Sequence, residues 1–220
     1  MNITTRPLAI GEKVIDTDWK IGPGTARGLW LAGVRTLIRY VGYGPPGPGD
    51  IDAVELELEL GIGFTVVLVQ HPRKPANNVL SSDTGASDAA WAIRNAIAAG
   101  YDPAKVPVSV HAPSLIADLE GVRNPGAGVV GFATRWAIDT SAARFRPVKY
   151  LGYDCGLTSA DCDALPGDPE FFCDAGPYSE RPRPAKGYAL KQHPQTTIAG
   201  VGVDEDDVLR ANAIYGVRAA

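Results

Sequence analysis

Read for apolar periodicity, the chain alternates short, almost wholly apolar runs with longer segments whose apolar residues recur at helical spacing. The first run, "KVIDTDW" (13–19), predicts a strand ending in two acids, and 24–33 predicts a short helix stopped by a glycine. A second strand over 36–43 leads into the turn "GPPGPGD". A helix follows with Asp50 as its N-cap and Gly61 as its stop. "FTVVLVQ" (64–70) is apolar at nearly every position, as expected of a strand covered on both faces. An alanine-rich helix over 85–101 precedes a fourth strand, "VPVSV" (106–110). The remaining expectations are a helix over 128–145, a strand over 148–154, a short helix over 157–165 capped by Thr158 and a strand over 169–175. Two last strands cover 187–192 and 199–204, and "VDEDDVL" (203–209) reads as the final strand running into a helix N-terminus.

Eight strand candidates with helices between most of the early ones predict an α/β fold, a (β/α)8 TIM-type barrel irregular in its C-terminal third. The whole chain, 1–220, is expected to form one barrel domain. With 45% hydrophobic and 21% charged residues it can bury a core and is not a disordered chain. A net charge of −4 provides no basic footprint for nucleic acid and no polybasic membrane patch. No stretch has the apolar length of a membrane span, so membrane insertion is not expected. The first residues lack the charged and apolar regions of a secretory signal. Location therefore stays open between a virion-associated protein and export by another route, and assembly into a larger particle stays open with it.

In such a barrel the chemistry gathers at the C-terminal ends of the strands. Those ends carry Asp16 and Asp18, Arg39 and Tyr40, Gln70 and His71, His111, Asp154, Asp174, Gln192 and His193, and Asp204. Several carboxylates around one mouth suit sugar chemistry. Gln-His-Pro occurs twice, at 70–72 and 192–194, and holds two of the three histidines. Neighbouring strand residues face opposite ways, so inward Gln70 and Gln192 would turn His71 and His193 outward, against a three-histidine metal site. No metal and no cofactor are expected. Cys155, Cys162 and Cys173 do not have the paired spacing of a zinc site and read as small buried hydrophobes, with room for one disulfide.

The ordered set "VIDTDW", "TLIRYVGY", "GASDAAWAIRNAIAAGYD", "KYLGYDCG", "YALKQH" and "GVGVDEDD" resembles the glycoside-hydrolase-like barrels first filed as domain of unknown function 1906, distant relatives of the family-25 lysozymes. The resemblance implies a protein that acts on or binds bacterial cell-wall glycan, the peptidoglycan. Within it Asp16 matches the acid ending strand one, Arg39 and Tyr40 the pocket wall, Gln192 the strand-seven glutamine and Asp204 the final aspartate. Asp18, Gln70 and Asp154 join these as candidates from their strand ends. The family places acids on strand four, where the reading over 106–110 offers only His111 and Ala112. The nearest Asp-x-Glu, Asp118 to Glu120, falls farther on and reads as a surface helix. Two expectations follow. Either Glu120 or His111 serves with Asp16 and Asp18 as a displaced catalytic group, or the barrel is a carbohydrate-binding or structural module, of a phage particle or cell envelope, that has lost hydrolysis.

Overall fold

The computed structural model describes residues 2–73, 80–107, 111–122, 127–152, 155–166, 170–174 and 182–220, without the side chains of Ala127 and residues 172–174. Its strands are β1 (Ile3–Pro7), β2 (Val14–Thr17), β3 (Thr36–Val41), β4 (Thr65–Gln70), β5 (Ser114–Asp118), β6 (Arg146–Tyr150), β7 (Glu170–Asp174), β8 (Leu190–Gln192), β9 (Thr196–Ile198), β10 (Val201–Val208) and β11 (Tyr215–Ala219). The helices are α1 (Pro23–Leu31), α2 (Ala53–Ile62), α3 (Ser82–Ala98), α4 (Ala127–Ala142) and α5 (Ser159–Ala164).

Strands β2 through β8 pair in parallel and in order, β10 joins β8 to β2, and β4 also pairs with β5. The result is a ring of eight strands, the barrel expected from the sequence, but its last member is antiparallel to both neighbours. This is the irregularity of the C-terminal third. The acids of "VDEDDVL" do not begin a helix; they continue β10 to Val208. Strands β1 and β11, which the apolar pattern did not reveal, pair with each other, and β11 reaches β4 through Val217 and Val66. Leu8, Ala213 and Ile214 then close the N-terminal end of the barrel.

Period-two alternation sorts each strand between two environments. Val14, Ile38, Val67, Ile116, Val148, Leu190 and Val208 share one buried cluster inside the ring. Their neighbours Ile15, Leu37, Val66, Leu68, Leu115 and Ala117 belong to the second cluster, packed under the helices. Helix ends follow local chemistry. Asp52, not the expected Asp50, caps α2 by accepting from Glu55 N at 2.9 Å. Gly63 ends that helix at φ 115°, a conformation open chiefly to glycine. Ser81 and Thr84 form a reciprocal capping box on α3, and Thr158 and Asp161 do so on α5.

Arg39 is fully buried on the outer face of β3, not in the barrel mouth. It donates to Glu55 Oε1 at 2.7 Å, lies 3.4 Å from Glu59 Oε1, and donates to the carbonyl of Thr17 at the end of β2. Glu55 also accepts from Ile21 N at 2.8 Å and pairs with Lys20 at 3.0 Å. One guanidinium thus ties α2 to the tips of β2 and β3. Burial pushes Glu59 up to about 8, the charge of Glu55 adding to the effect and Arg39 opposing it. Replacing Arg39 leaves Glu55 with Lys20 alone and takes the neighbouring cation from the fully buried Glu59. Arg39→Met is expected to lower unfolding stability by about 3–5 kcal/mol, read from urea denaturation at neutral pH.

Candidate active site

The decisive placement concerns the fourth barrel strand. It is β5, Ser114–Asp118, and not 106–110, of which 108–110 lie outside the described residues. Among the described residues before it lies a 3-10 turn at Pro103–Lys105. Asp118 therefore ends the strand, and Glu120 lies two residues beyond on the rim rather than on a surface helix. His111 precedes β5 at the opposite end of the barrel. Its ring packs against Tyr215 at 4.4 Å, and its carbonyl accepts from Thr5 Oγ1 at 2.6 Å.

At the mouth, the interior positions change from apolar to polar one step above the apolar layer. Asp16, Tyr40, Asp118, Tyr150 and Gln192 stand two residues beyond Val14, Ile38, Ile116, Val148 and Leu190. Asp204 on β10 is the register partner of Asp16, and Asp206 that of Gln192. Tyr150 donates to Gln192 Oε1 at 2.6 Å, which orients the amide so that its Nε2 donates to Asp16 Oδ2. Tyr40 reaches Asp16 Oδ1 at 3.4 Å. Glu120 N donates to Asp118 Oδ1 at 2.8 Å, so the two acids of "DLE" are locked into one turn. A Cβ at Gly152 would lie 2.9 Å from Glu120 Cγ; the glycine of "LGYD" makes room for that side chain.

Burial dominates the electrostatics. It pushes Asp16 up from its ordinary 3.8 to about 8, with the charges of Asp204 and Glu120 adding and the bonds from Gln192 and Tyr40 opposing. Asp118 is pushed well above the carboxylate range by burial first, then by Glu120 and Asp16. Burial and the same carboxylates raise Tyr40. Like charges this close in a dry site cannot all ionise together, so the cluster retains protons at neutral pH.

Other expected residues lie elsewhere. Gln70 faces the helices: its Nε2 donates to the Asp88 carbonyl at 2.7 Å and its Oε1 accepts from Trp136 Nε1 at 2.8 Å. The parity expected for this copy of Gln-His-Pro is thus reversed. His71 turns to the mouth, stacks on Tyr40 at 4.5 Å and pairs with Asp50 at 3.1 Å. In the second copy Gln192 points inward, and the exposed His193 pairs with Asp207 at 2.7 Å. Asp18 is exposed and lines, with Tyr43, Gly49 and His71, a cavity of about 500 Å³ beside the carboxylates. Asp154 lies outside the described residues, as does the side chain of Asp174. Cys155 and Cys162 are buried, as expected of small apolar groups. Sequence reasoning missed Tyr150, Gly152 and Asp206; the "KYLGYD" run held the signal for the first two.

The native state holds a proton on Asp16 up to about 8, whereas an unfolded aspartate releases it near 3.8. The native state therefore binds more protons between these values, and this stabilisation is complete below the lower value and lost as pH rises through the upper. Asp16→Asn, neutral throughout, should gain on the wild type as pH rises from 4 to 8, by more than about 1.4 kcal/mol. Urea unfolding at the two pH values tests this, and a pH-independent difference would contradict the assignment.

No protein-family model matches the chain. A search of curated proteins also finds no match. Solved structures do resemble it. A Tat-secreted protein of Mycobacterium tuberculosis, solved with L-tartrate, is 22% identical with a TM-score of 0.65, over 90% of this chain and 96% of that one. A bacterial lysozyme from Streptomyces coelicolor is 15% identical with a TM-score of 0.57, over 92% and 94%. A family 25 glycosyl hydrolase from Bacillus anthracis is 12% identical with a TM-score of 0.56, over 91% and 90%. At these identities the likeness is one of fold: this chain shares the barrel of those hydrolases, and its likeness to domain of unknown function 1906 rests on motifs alone.

Proposed function

We propose that this protein is a glycoside hydrolase acting on bacterial cell-wall glycan, the peptidoglycan. The observation that carries the reading is the emergence of Asp118 and Glu120 from the end of β5, within electrostatic reach of Asp16. The alternative, a carbohydrate-binding module without hydrolysis, drew its support from a strand four lacking an acid. With β5 at Ser114–Asp118 that support is gone.

Glycoside hydrolysis needs a proton for the leaving oxygen and negative charge facing the oxocarbenium-like state. Burial holds protons on Asp16 and Asp118, so the cluster contains acid at neutral pH. Glu120, half-buried on the rim, is the group that meets a glycan too wide to enter the barrel. It takes a proton from the cluster and donates it to the leaving oxygen as the C–O bond breaks, and a water adds to the anomeric carbon and returns its proton to the cluster. With that proton gone from the cluster, the negative charge shared among Asp118, Asp16 and Asp204 faces the positive charge growing on the sugar. Tyr150 and Gln192 hold Asp16 in place, and Tyr40 forms one wall. Arg39 and Gln70 act outside the mouth by fixing helices to strands, and Asp18 lies on the rim. Lysozymes and a family 25 glycosyl hydrolase among the similar folds favour this substrate class.

Purified protein should release new reducing ends from peptidoglycan. Glu120→Gln and Asp118→Asn are each expected to lose at least about 100-fold in turnover, with Glu120→Gln keeping the wild-type unfolding midpoint. Gly152→Ala should also reduce turnover, because its Cβ displaces Glu120. Wild-type protein without turnover would overturn hydrolysis, and full activity in Glu120→Gln would remove Glu120 as the acid.

A further inference from the structure

The loop over 42–50 folds around one buried carboxylate, that of Asp50. Its Oδ2 accepts from Gly47 N at 2.6 Å, and a Cβ at Gly42 would lie 2.9 Å from the same oxygen, so glycine makes room for it. Its Oδ1 lies 3.1 Å from His71 Nε2. Burial opposes the charge, yet the bonds from His71 and Gly47 N hold Asp50 below its ordinary 3.8, and it is ionised at neutral pH. The backbone fixes the other end of the histidine. His71 N donates to the Val41 carbonyl at 3.0 Å, carrying the pairing of β4 with β3 one residue past Gln70. Ile51 N closes the loop by donating to the Tyr40 carbonyl at 3.0 Å. Arg73, two residues on, turns instead to Asp88 at 2.7 Å and to the ring of Tyr43. The imidazole is thus clamped between Asp50 and the tip of β3, with its face on the ring of Tyr40 at 4.5 Å and 30°.

We propose that His71 is a positioning residue of the glycan-cleaving site proposed above: held by Asp50, its ring supports Tyr40, and Tyr40 in turn holds Asp16. The role rests on that reading for turnover, but not for the state of Asp16. Tyr40 is half-buried, with the apolar barrel interior against one part of its ring and His71 stacked on its face. Stacking restricts the torsions of a phenol that the interior alone does not enclose. Restriction matters here because the hydroxyl reaches Asp16 Oδ1 at 3.4 Å, near the limit for a hydrogen bond, so a small tilt of the ring breaks it. That bond favours the ionised carboxylate and works against burial and the neighbouring acids. His71 therefore acts on Asp16 without touching it. The charged groups around the imidazole are Asp50, bonded to it, and Asp18, which lines the same cavity.

The test compares His71→Ala, Tyr40→Phe and the double variant in two ways. One is turnover of peptidoglycan; the other is the titration of Asp16, followed through its carboxyl carbon by NMR of aspartate-labelled protein. His71→Ala is expected to lose about tenfold in kcat with KM changed by less than about twofold. It should also raise the Asp16 midpoint by about half a pH unit, because a bond to the ionised carboxylate is lost. Tyr40→Phe should do the same, and adding His71→Ala to it should change either quantity little, as for two residues acting through one contact. His71→Gln keeps a donor for Asp50, and so the loop, but lacks the ring; it should match His71→Ala. His71→Phe restores a ring beside Tyr40 and should return kcat to within about threefold of the wild type. An Asp16 midpoint unmoved in both His71→Ala and His71→Gln, or effects that add in full in the double variant, would overturn the positioning role. Turnover by the wild type with such a result removes the role and leaves the proposed activity. A wild type without turnover whose Asp16 midpoint still follows His71 through Tyr40 does the reverse.

Discussion

Closure of the sheet by β10 is the constraint on which the rest of the structure depends. Seven parallel strands cannot complete the ring, and the eighth enters from the opposite direction between β8 and β2. Antiparallel entry puts the start of β10 at the mouth, so the residues following Ala199 and Gly200 arrive where catalytic groups gather. Asp204 then faces Asp16. A helix-connected parallel strand would have placed its C-terminal end there instead, with a different set of side chains.

A gradient along the barrel axis sets the electrostatics of the mouth. The interior is filled from below by Val14, Ile38, Ile116, Val148 and Leu190, which exclude water from the floor of the acid cluster. Carboxyls resting on that floor lose hydration on one side and retain protons that exposed acids would release. The same desolvation acts outside the ring, where Arg39 offsets it by pairing with Glu55 and holding Glu59 close. Because Arg39 also binds the carbonyl of Thr17, the ion cluster of the helix layer sets the position of the β2 tip, one residue from Asp16. The acids of the helix layer and those of the mouth are thus coupled through a single backbone segment.

Legibility in the sequence followed the strength of local pattern. The strands ending near Asp16, Tyr40 and Gln192 were readable because their apolar runs are continuous and their polar ends abrupt. β5 was not, because "VPVSV" and "SLIAD" are two short runs of equal promise within one interval. Pairing decided between them. Leu115–Ala117 match Leu68–Gln70 on one side, and Ser114–Asp118 match Arg146–Tyr150 on the other. Such long-range register leaves no trace in local composition, and it moved Asp118 and Glu120 from an expected surface helix to the mouth. β10 was misread for a related reason: acids at successive positions suggest a helix start, yet in this strand Asp204 and Asp206 face the interior while Asp207 is exposed.

The two Gln-His-Pro copies mark the division between what the sequence determined and what only the tertiary structure decided. Composition and alternation determined that each follows a strand, that the proline ends the pairing, and that glutamine and histidine must face opposite ways. Which of the two faces inward depended on the register of β4 against β3 and β5, and of β8 against β7 and β10. Register is a property of neighbouring strands, and a shift of one residue exchanges every inward side chain for an outward one. The same tripeptide therefore buries Gln70 under helices in one copy and aims Gln192 at Asp16 in the other.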